Sequence, residues 1–438
     1  MGKKKENRRG NKQMNPILPL EHFIPDAEAR QWADGRMYLY GSCDKADKME
    51  YCSHEYHVFS SDDLIHWVDH GVSFRSDGAN SDVPWSNAAL YAPDCIFKNG
   101  IYYLYFCLSD NGEGVATSMK PEGPFRNAVP VVGANGDAID PAVFLDDDGQ
   151  AYLYWGQFHA RGARLDHNMS AIGKDTFYPA LLTEAGAGFH EGASVRKRNG
   201  IYYLVYTDIS RGKATCISYA TSLSPLGPYT KGGVIIDNDG CDPETWNNHG
   251  SIAEFNGDWY VFYHRSSRGS HFSRRVCMEP IRFDSEGRIR EVPMTTQGIS
   301  GPIPSTQEMQ AARACQFSGN VRITGVDDPA ADDSREMLSG ISSGDWAVYR
   351  YLDFKAVRGT LFVDASCEGT GGMVEFRLDK PLGPVVARCP VTDTGSHEVW
   401  RAFSCEFQAI EGAHAVYLHF IGGEGTDLFR IRGFRFVG

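Results

Sequence analysis

Asp140-Pro-Ala-Val-Phe-Leu-Asp-Asp-Asp-Gly-Gln-Ala-Tyr-Leu-Tyr-Trp-Gly156 is the stretch whose reading decides the fold. An acid opens it and a short apolar run follows. An Asp-Gly turn then reverses the chain into a second strand rich in aromatics. The pattern returns four more times. Asp26 begins Asp-Ala-Glu-Ala-Arg-Gln-Trp-Ala-Asp-Gly-Arg-Met-Tyr-Leu-Tyr, and Asp94 begins Asp-Cys-Ile-Phe-Lys-Asn-Gly-Ile-Tyr-Tyr-Leu-Tyr-Phe. Glu191 begins Glu-Gly-Ala-Ser-Val-Arg-Lys-Arg-Asn-Gly-Ile-Tyr-Tyr-Leu-Val-Tyr, and His249 begins His-Gly-Ser-Ile-Ala-Glu-Phe-Asn-Gly-Asp-Trp-Tyr-Val-Phe-Tyr. The turn glycines Gly35, Gly100, Gly149, Gly200 and Gly257 are spaced by 65, 49, 51 and 57 residues. Repeats of this size with several strands each point to a β-propeller, and five copies predict five blades. Asn-Gly at Asn99, Asn199 and Asn256 and Asp-Gly at Asp34 and Asp148 are read as type I′ hairpin turns, which need positive φ at both central residues.

The repeat stops near residue 300, where Gly301-Pro-Ile-Pro-Ser-Thr looks like a linker. Alternating runs continue beyond it, among them Trp346-Ala-Val-Tyr-Arg-Tyr, Thr360-Leu-Phe-Val-Asp-Ala and Phe429-Arg-Ile-Arg-Gly-Phe-Arg-Phe. Their spacing predicts a β-sandwich of jelly-roll type. The chain is therefore all-β: a basic tail over 1–14, a five-bladed propeller over 15–300, and a sandwich over 301–438.

Composition narrows the function. Lys and Arg total 43 against 56 Asp and Glu, a formal charge of −13, which argues against nucleic-acid and anionic-membrane partners. No apolar run approaches membrane-spanning length. The basic start, Met1-Gly-Lys-Lys-Lys, is followed by no apolar stretch of the kind a secretory signal carries, so it reads as a disordered tail. The 11 Cys are scattered without a Cys-x-x-Cys pair, and several fall inside apolar strand patterns. Reduced, buried thiols and a cytoplasmic location are expected. The oligomeric state is left open.

In a propeller the first strand of each blade lines the central channel, so the residues that open those strands gather at one mouth. Asp26, Asp140 and Glu191 each stand nine residues before their turn glycine, Asp94 six and His249 eight. A lone Asp at a strand start is ordinarily a turn or cap residue. Three acids in register across three blades instead predict a ring of carboxylates, in which crowding raises at least one pKa. Glycoside hydrolysis uses such equipment. One carboxyl donates a proton to the leaving oxygen, a second ionised one activates water, and a third holds the acid's pKa up.

At these residues the chain resembles glycoside hydrolase family 43. The resemblance rests on Asn15-Pro-Ile-Leu-Pro with Pro25-Asp26, Tyr91-Ala-Pro-Asp94, Ile139-Asp140-Pro-Ala, His190-Glu191-Gly-Ala and Asn248-His249-Gly-Ser. It implies an inverting mechanism that needs no cofactor. Asp26 would be the general base, Glu191 the general acid and Asp140 the third carboxylate. His249 would sit near the channel axis in a structural or electrostatic role, where the family often holds a calcium ion or a water. Arg274 would reach the sugar or the third carboxylate, although its neighbour Arg275 competes for that place. Phe23 and Trp85 are candidates for stacking on the sugar. Asp94 is read as structural or substrate-contacting. The C-terminal part resembles a family 6 carbohydrate-binding module, with His397 and Asp427 standing where an aromatic and an Asn are usual. The expected activity is exo-cleavage of terminal pentoses, as an α-L-arabinofuranosidase or β-xylosidase acting on small plant-derived oligosaccharides. A β-galactofuranosidase or other furanosidase, and a non-catalytic glycan-binding propeller, are the alternatives.

Overall fold

The computed structural model describes residues 12–134, 138–173, 175–325, 336–425 and 427–438. The expected tail falls mostly outside these, but Lys12 and Met14 are placed. The Lys12 N–H donates to Gln307 Oε1 at 2.9 Å, and Met14 is buried.

Each copy of the repeat folds as one blade. The first comprises Glu28–Gln31, Met37–Tyr40, Glu55–Ser61 and Trp67–Arg75, and the second Asp94–Lys98, Ile101–Cys107, Glu113–Ser118 and Arg126–Pro130. Ala142–Leu145, Ala151–Trp155, His159–Arg164 and Tyr178–Thr183 form the third, and Phe189–Arg198, Ile201–Asp208, Cys216–Ser222 and Thr230–Asp237 the fourth. The fifth holds Ser251–Phe255, Asp258–Ser267 and Ser270–Ile281. The innermost strands touch in a closed circle, blade one to two to three to four to five and back to one, where Ala27 bridges Gly250. The edge of the three-stranded fifth blade is met by the N-terminal segment. Ile17 N donates to Val276 O at 3.1 Å, and the Asn15 side chain donates to Met278 O at 3.1 Å and to Thr295 O at 3.0 Å. The start of the chain thereby locks the ring.

The hairpin turns divide into two kinds. Asn99, Asn199 and Asn256 have φ of 53°, 50° and 53° and are each followed by a left-handed Gly, as a type I′ turn requires. The Asp-Gly turns differ from expectation, because at Asp34 and Asp148 only the following Gly is left-handed. There Gly35 N donates to Trp32 O and Gly149 N to Asp146 O, both at 2.9 Å. This is a type I turn closed by a left-handed Gly. The Asp carboxylates accept from the N–H two residues on, Arg36 and Gln150, which favours the right-handed conformation at Asp.

The blades pack face to face through apolar side chains. Between the second and third, Ile96, Val143, Leu153, Trp155 and Ala163 are buried together. A fully buried side chain such as Trp155 contributes roughly 2–3 kcal/mol of transfer free energy.

The C-terminal part is one β-sheet curled on itself, with an interior that includes Phe376, Phe407, Phe434 and Phe436. The separate runs read at Trp346 and Thr360 belong to one long strand, Trp346–Cys367, paired with Ser396–Gly422. Register shifts, such as that between Tyr349 and Leu352, let this pair bend through the fold. The sheet docks on the propeller through a shared apolar cluster that includes Tyr203, Ile235, Val348 and Tyr417. Buried Arg275 is paired with Glu336 across the same junction, Nη1 lying 3.0 Å from Oε2.

Candidate active site

The openings of four inner strands face one another around a cavity of about 230 Å³. Asp26, Asp140, Glu191, His249 and Arg274 line it, with Tyr51, Gln157, His190, Trp246 and Asn247 among the other walls. Local backbone geometry aims the acids. Asp26 and Asp140 adopt left-handed φ of 57° and 55°, which a short carboxylate side chain tolerates better than a bulky one. Glu191 sits within its strand between two register shifts, and the bulge turns it inward. Gly192, at φ 68°, follows it because a Cβ there would lie 2.9 Å from the His249 ring.

The two aspartates occupy different electrostatic surroundings. Asp26 Oδ1 accepts from Arg274 Nη1 at 3.1 Å and Oδ2 from Ser42 Oγ at 2.7 Å. His264 Nδ1 and His249 Nδ1 stand 3.4 and 3.8 Å from Oδ1. Burial works to raise the Asp26 pKa, but Arg274 and the two histidines outweigh it and hold the group ionised, far below the usual carboxylate range. Asp140 accepts from Gly192 N at 3.1 Å, and His249 Nδ1 lies 3.8 Å from its Oδ2. Its carboxyl is pushed up to about 7, first by burial and then by the negative charges of Glu191 and Asp26, with His249 pulling the other way. Burial works to lower the His249 pKa, but Asp140, Asp26 and Glu191 raise it overall. Glu191 accepts one amide on each oxygen, Gln157 Nε2 on Oε2 at 3.0 Å and Asn247 Nδ2 on Oε1 at 3.4 Å.

Strand alternation separates the two arginines. Arg274 points into the cavity and forks onto Asp44, Nε and Nη2 each 2.9 Å from a carboxylate oxygen. Arg275 points to the opposite face, toward Glu336. Three residues singled out in the sequence stand outside the cavity wall. Phe23 is buried with the Arg275 guanidinium 4.2 Å from its ring centre, so it packs an ion pair and offers no face to a sugar. Trp85 stacks on Phe106 with ring centres 6.2 Å apart. Asp94 lies deeper in the channel, where Arg30 Nε donates to it at 3.0 Å and Val143 N at 2.8 Å.

Asp44, Ser42, His264 and Gln157 carry no signal in the repeat, because each lies on or just after a second strand instead of opening a first one. Asn247 and His190 adjoin motif residues and were within reach of the same reading.

A calcium ion takes six to eight oxygen ligands. The carboxylates beside His249 are engaged by Arg274, Ser42 and Gly192. Among the described residues no group of three or more His, Cys, Asp or Glu side chains is placed to hold a metal. This donor set does not form a protein-built calcium cage. In the C-terminal sheet Asp427 accepts from Gly340 N at 2.9 Å and from Arg430 Nη2 at 3.0 Å, and His397 Nε2 lies 4.0 Å away.

Residues 13–289 match the family described as glycosyl hydrolases family 43. The chain belongs to that family. Residues 313–438 match the carbohydrate binding module (family 6), so this family 43 glycoside hydrolase carries a module of that kind at its C-terminal end. It is 30% identical to a xylosidase/arabinosidase of Thermoclostridium stercorarium, over 94% of this chain and 97% of the relative. A β-D-galactofuranosidase of Aspergillus niger is 32% identical over 66% of this chain and 87% of its own length. Among solved structures, a Bacillus subtilis family 43 arabinoxylan arabinofuranohydrolase in complex with cellotetraose superposes with a TM-score of 0.56 at 26% identity, covering 97% of both chains.

Proposed function

We propose that the protein is an inverting, exo-acting glycosidase that releases terminal pentoses, as an α-L-arabinofuranosidase or β-xylosidase, from small plant-derived oligosaccharides. One observation carries the reading: acids from three blades converge on a single cavity in contrasting electrostatic surroundings. Asp26, held ionised, positions a water and takes its proton as the water oxygen attacks the anomeric carbon. Glu191 gives its proton to the glycosidic oxygen as the carbon–oxygen bond breaks. Asp140, beside Glu191, disfavours further negative charge and keeps a proton within the pair. His249 and Arg274 balance the remaining charge without entering the bond changes.

The names of relatives favour the pentose substrates, and the Aspergillus relative supports a furanosidase acting on galactofuranosides as the second reading. Eleven cysteines without a disulfide, nine of them buried, support a reducing compartment such as the cytoplasm. The test is a panel of nitrophenyl arabinofuranoside, xyloside and galactofuranoside with wild type and Glu191→Gln, followed by proton NMR of the first product. Hydrolysis by wild type to the inverted anomer is expected. A retained anomer, or binding of oligosaccharides without cleavage, would overturn the proposal.

A further inference from the structure

Gln157 occupies a contorted turn between Gly156 at φ 114° and Phe158 at φ 61°. A Cβ at Gly156 would lie 2.5 Å from His159 O, so only Gly fits there. A left-handed conformation is disfavoured for an aromatic such as Phe158 and persists only where its surroundings impose it. The surroundings here are three backbone bonds. Gly156 N donates to Ile139 O at 2.9 Å, Phe158 N to His190 O at 2.7 Å, and Glu184 N to Phe158 O at 2.9 Å. Two of these tie the turn to residues adjoining Asp140 and Glu191. The strained turn thus fixes Gln157 against Glu191, whose Oε2 its amide meets at 3.0 Å.

We propose that Gln157 is a positioning residue that selects which oxygen of Glu191 delivers the proton. This rests on the general-acid reading of Glu191. With Oε2 accepting the Gln157 N–H, the transferable proton resides on Oε1, where Asn247 stands farther off at 3.4 Å. As the glycosidic carbon–oxygen bond breaks, its electron pair stays on the leaving oxygen. That oxygen takes the Oε1 proton, and Glu191 is left as a carboxylate. The Gln157 bond strengthens as this charge appears, because a hydrogen bond to an ionised acceptor is stronger than one to a neutral acceptor. It therefore favours the transition state over the ground state.

The test is a leaving-group series, from dinitrophenyl through nitrophenyl to alkyl glycosides, with wild type, Gln157→Met and Gln157→Glu. Gln157→Met removes the donor, and Gln157→Glu keeps the shape while placing a like charge opposite Glu191. The expected loss in kcat is about 10- to 100-fold on alkyl glycosides, where protonation is needed. On dinitrophenyl glycosides, which leave without it, little change is expected. Losing a hydrogen bond to the charged form should also move the alkaline limb of the pH profile upward, further for Gln157→Glu than for Gln157→Met. Equal losses across the series, or an unmoved alkaline limb, would overturn the role. Absence of hydrolysis by wild type would count instead against the general-acid reading.

Discussion

Two layers of the same channel use the same kind of residue to opposite ends. At the mouth stand Asp26, Asp140 and Glu191. One layer deeper stand Glu28 and Asp94, both buried, as Asp26 and Asp140 are. In the deeper layer each acid meets a guanidinium. Arg30 donates to Asp94 through Nε at 3.0 Å, and Arg196 Nη2 reaches Glu28 at 2.7 Å and Ala29 O at 3.0 Å. At the mouth Arg274 brings a fixed cation to Asp26. Asp140 has a backbone N–H and a titratable imidazole. Burial raises both Asp94 and Asp140, to about 6 and about 7, but what opposes it differs: a permanent charge in a tight ion pair for the first, a group able to lose its proton for the second. A neutralised acid layer is structural, whereas an under-compensated one is poised to exchange protons.

Substitutions can break this contrast. The largest effects fall at the mouth. Asp26→Asn and Glu191→Gln should each lower kcat by about 10²–10⁴-fold while the protein stays folded, read by steady-state kinetics on an aryl pentoside. Next comes the deeper layer. Asp94→Asn strands the buried Arg30 charge and should cost about 3–5 kcal/mol of stability in denaturant unfolding, with kcat of the folded enzyme unchanged. A loss of activity without a loss of stability would place Asp94 in the chemistry. The smallest expected effect is that of chelation. Since the groups around His249 build no calcium cage, EDTA should leave both rate and melting temperature unaltered, and a drop in either would return a metal to the site.

The repeat made the architecture legible because each blade restates one pattern of acid, apolar run, turn and aromatic strand. The same offset of nine residues picked out Asp26, Asp140 and Glu191, which the structure brings to one cavity. Partners contributed by second strands were not legible. Asp44, His264 and Gln157 act through contacts that the fold creates between blades, and no local spacing records them. Phe23 shows the converse. Its aromatic character suggested a sugar platform, but the Arg275–Glu336 pair that covers it comes from parts of the chain far away in sequence. The turn type at Asp34 and Asp148 was likewise decided by a side-chain bond to the backbone two residues on, which a dipeptide pattern does not distinguish.

The contrast between the layers is tested most directly by following unfolding free energy from about pH 4 to pH 8 for wild type and Asp140→Asn. A carboxyl whose folded pKa lies near 7, above its unfolded value near 3.8, adds stability that is fully present below the unfolded pKa and is lost as pH rises through the folded one. Raised His249 adds to the same decline. Asn also tolerates the left-handed backbone at position 140 and can still accept from Gly192. The variant should therefore match wild type near the acid end and exceed it by about 1–3 kcal/mol above neutrality, while losing activity. A variant less stable than wild type at about pH 8 would mean that Asp140 is compensated like Asp94, and would contradict the account.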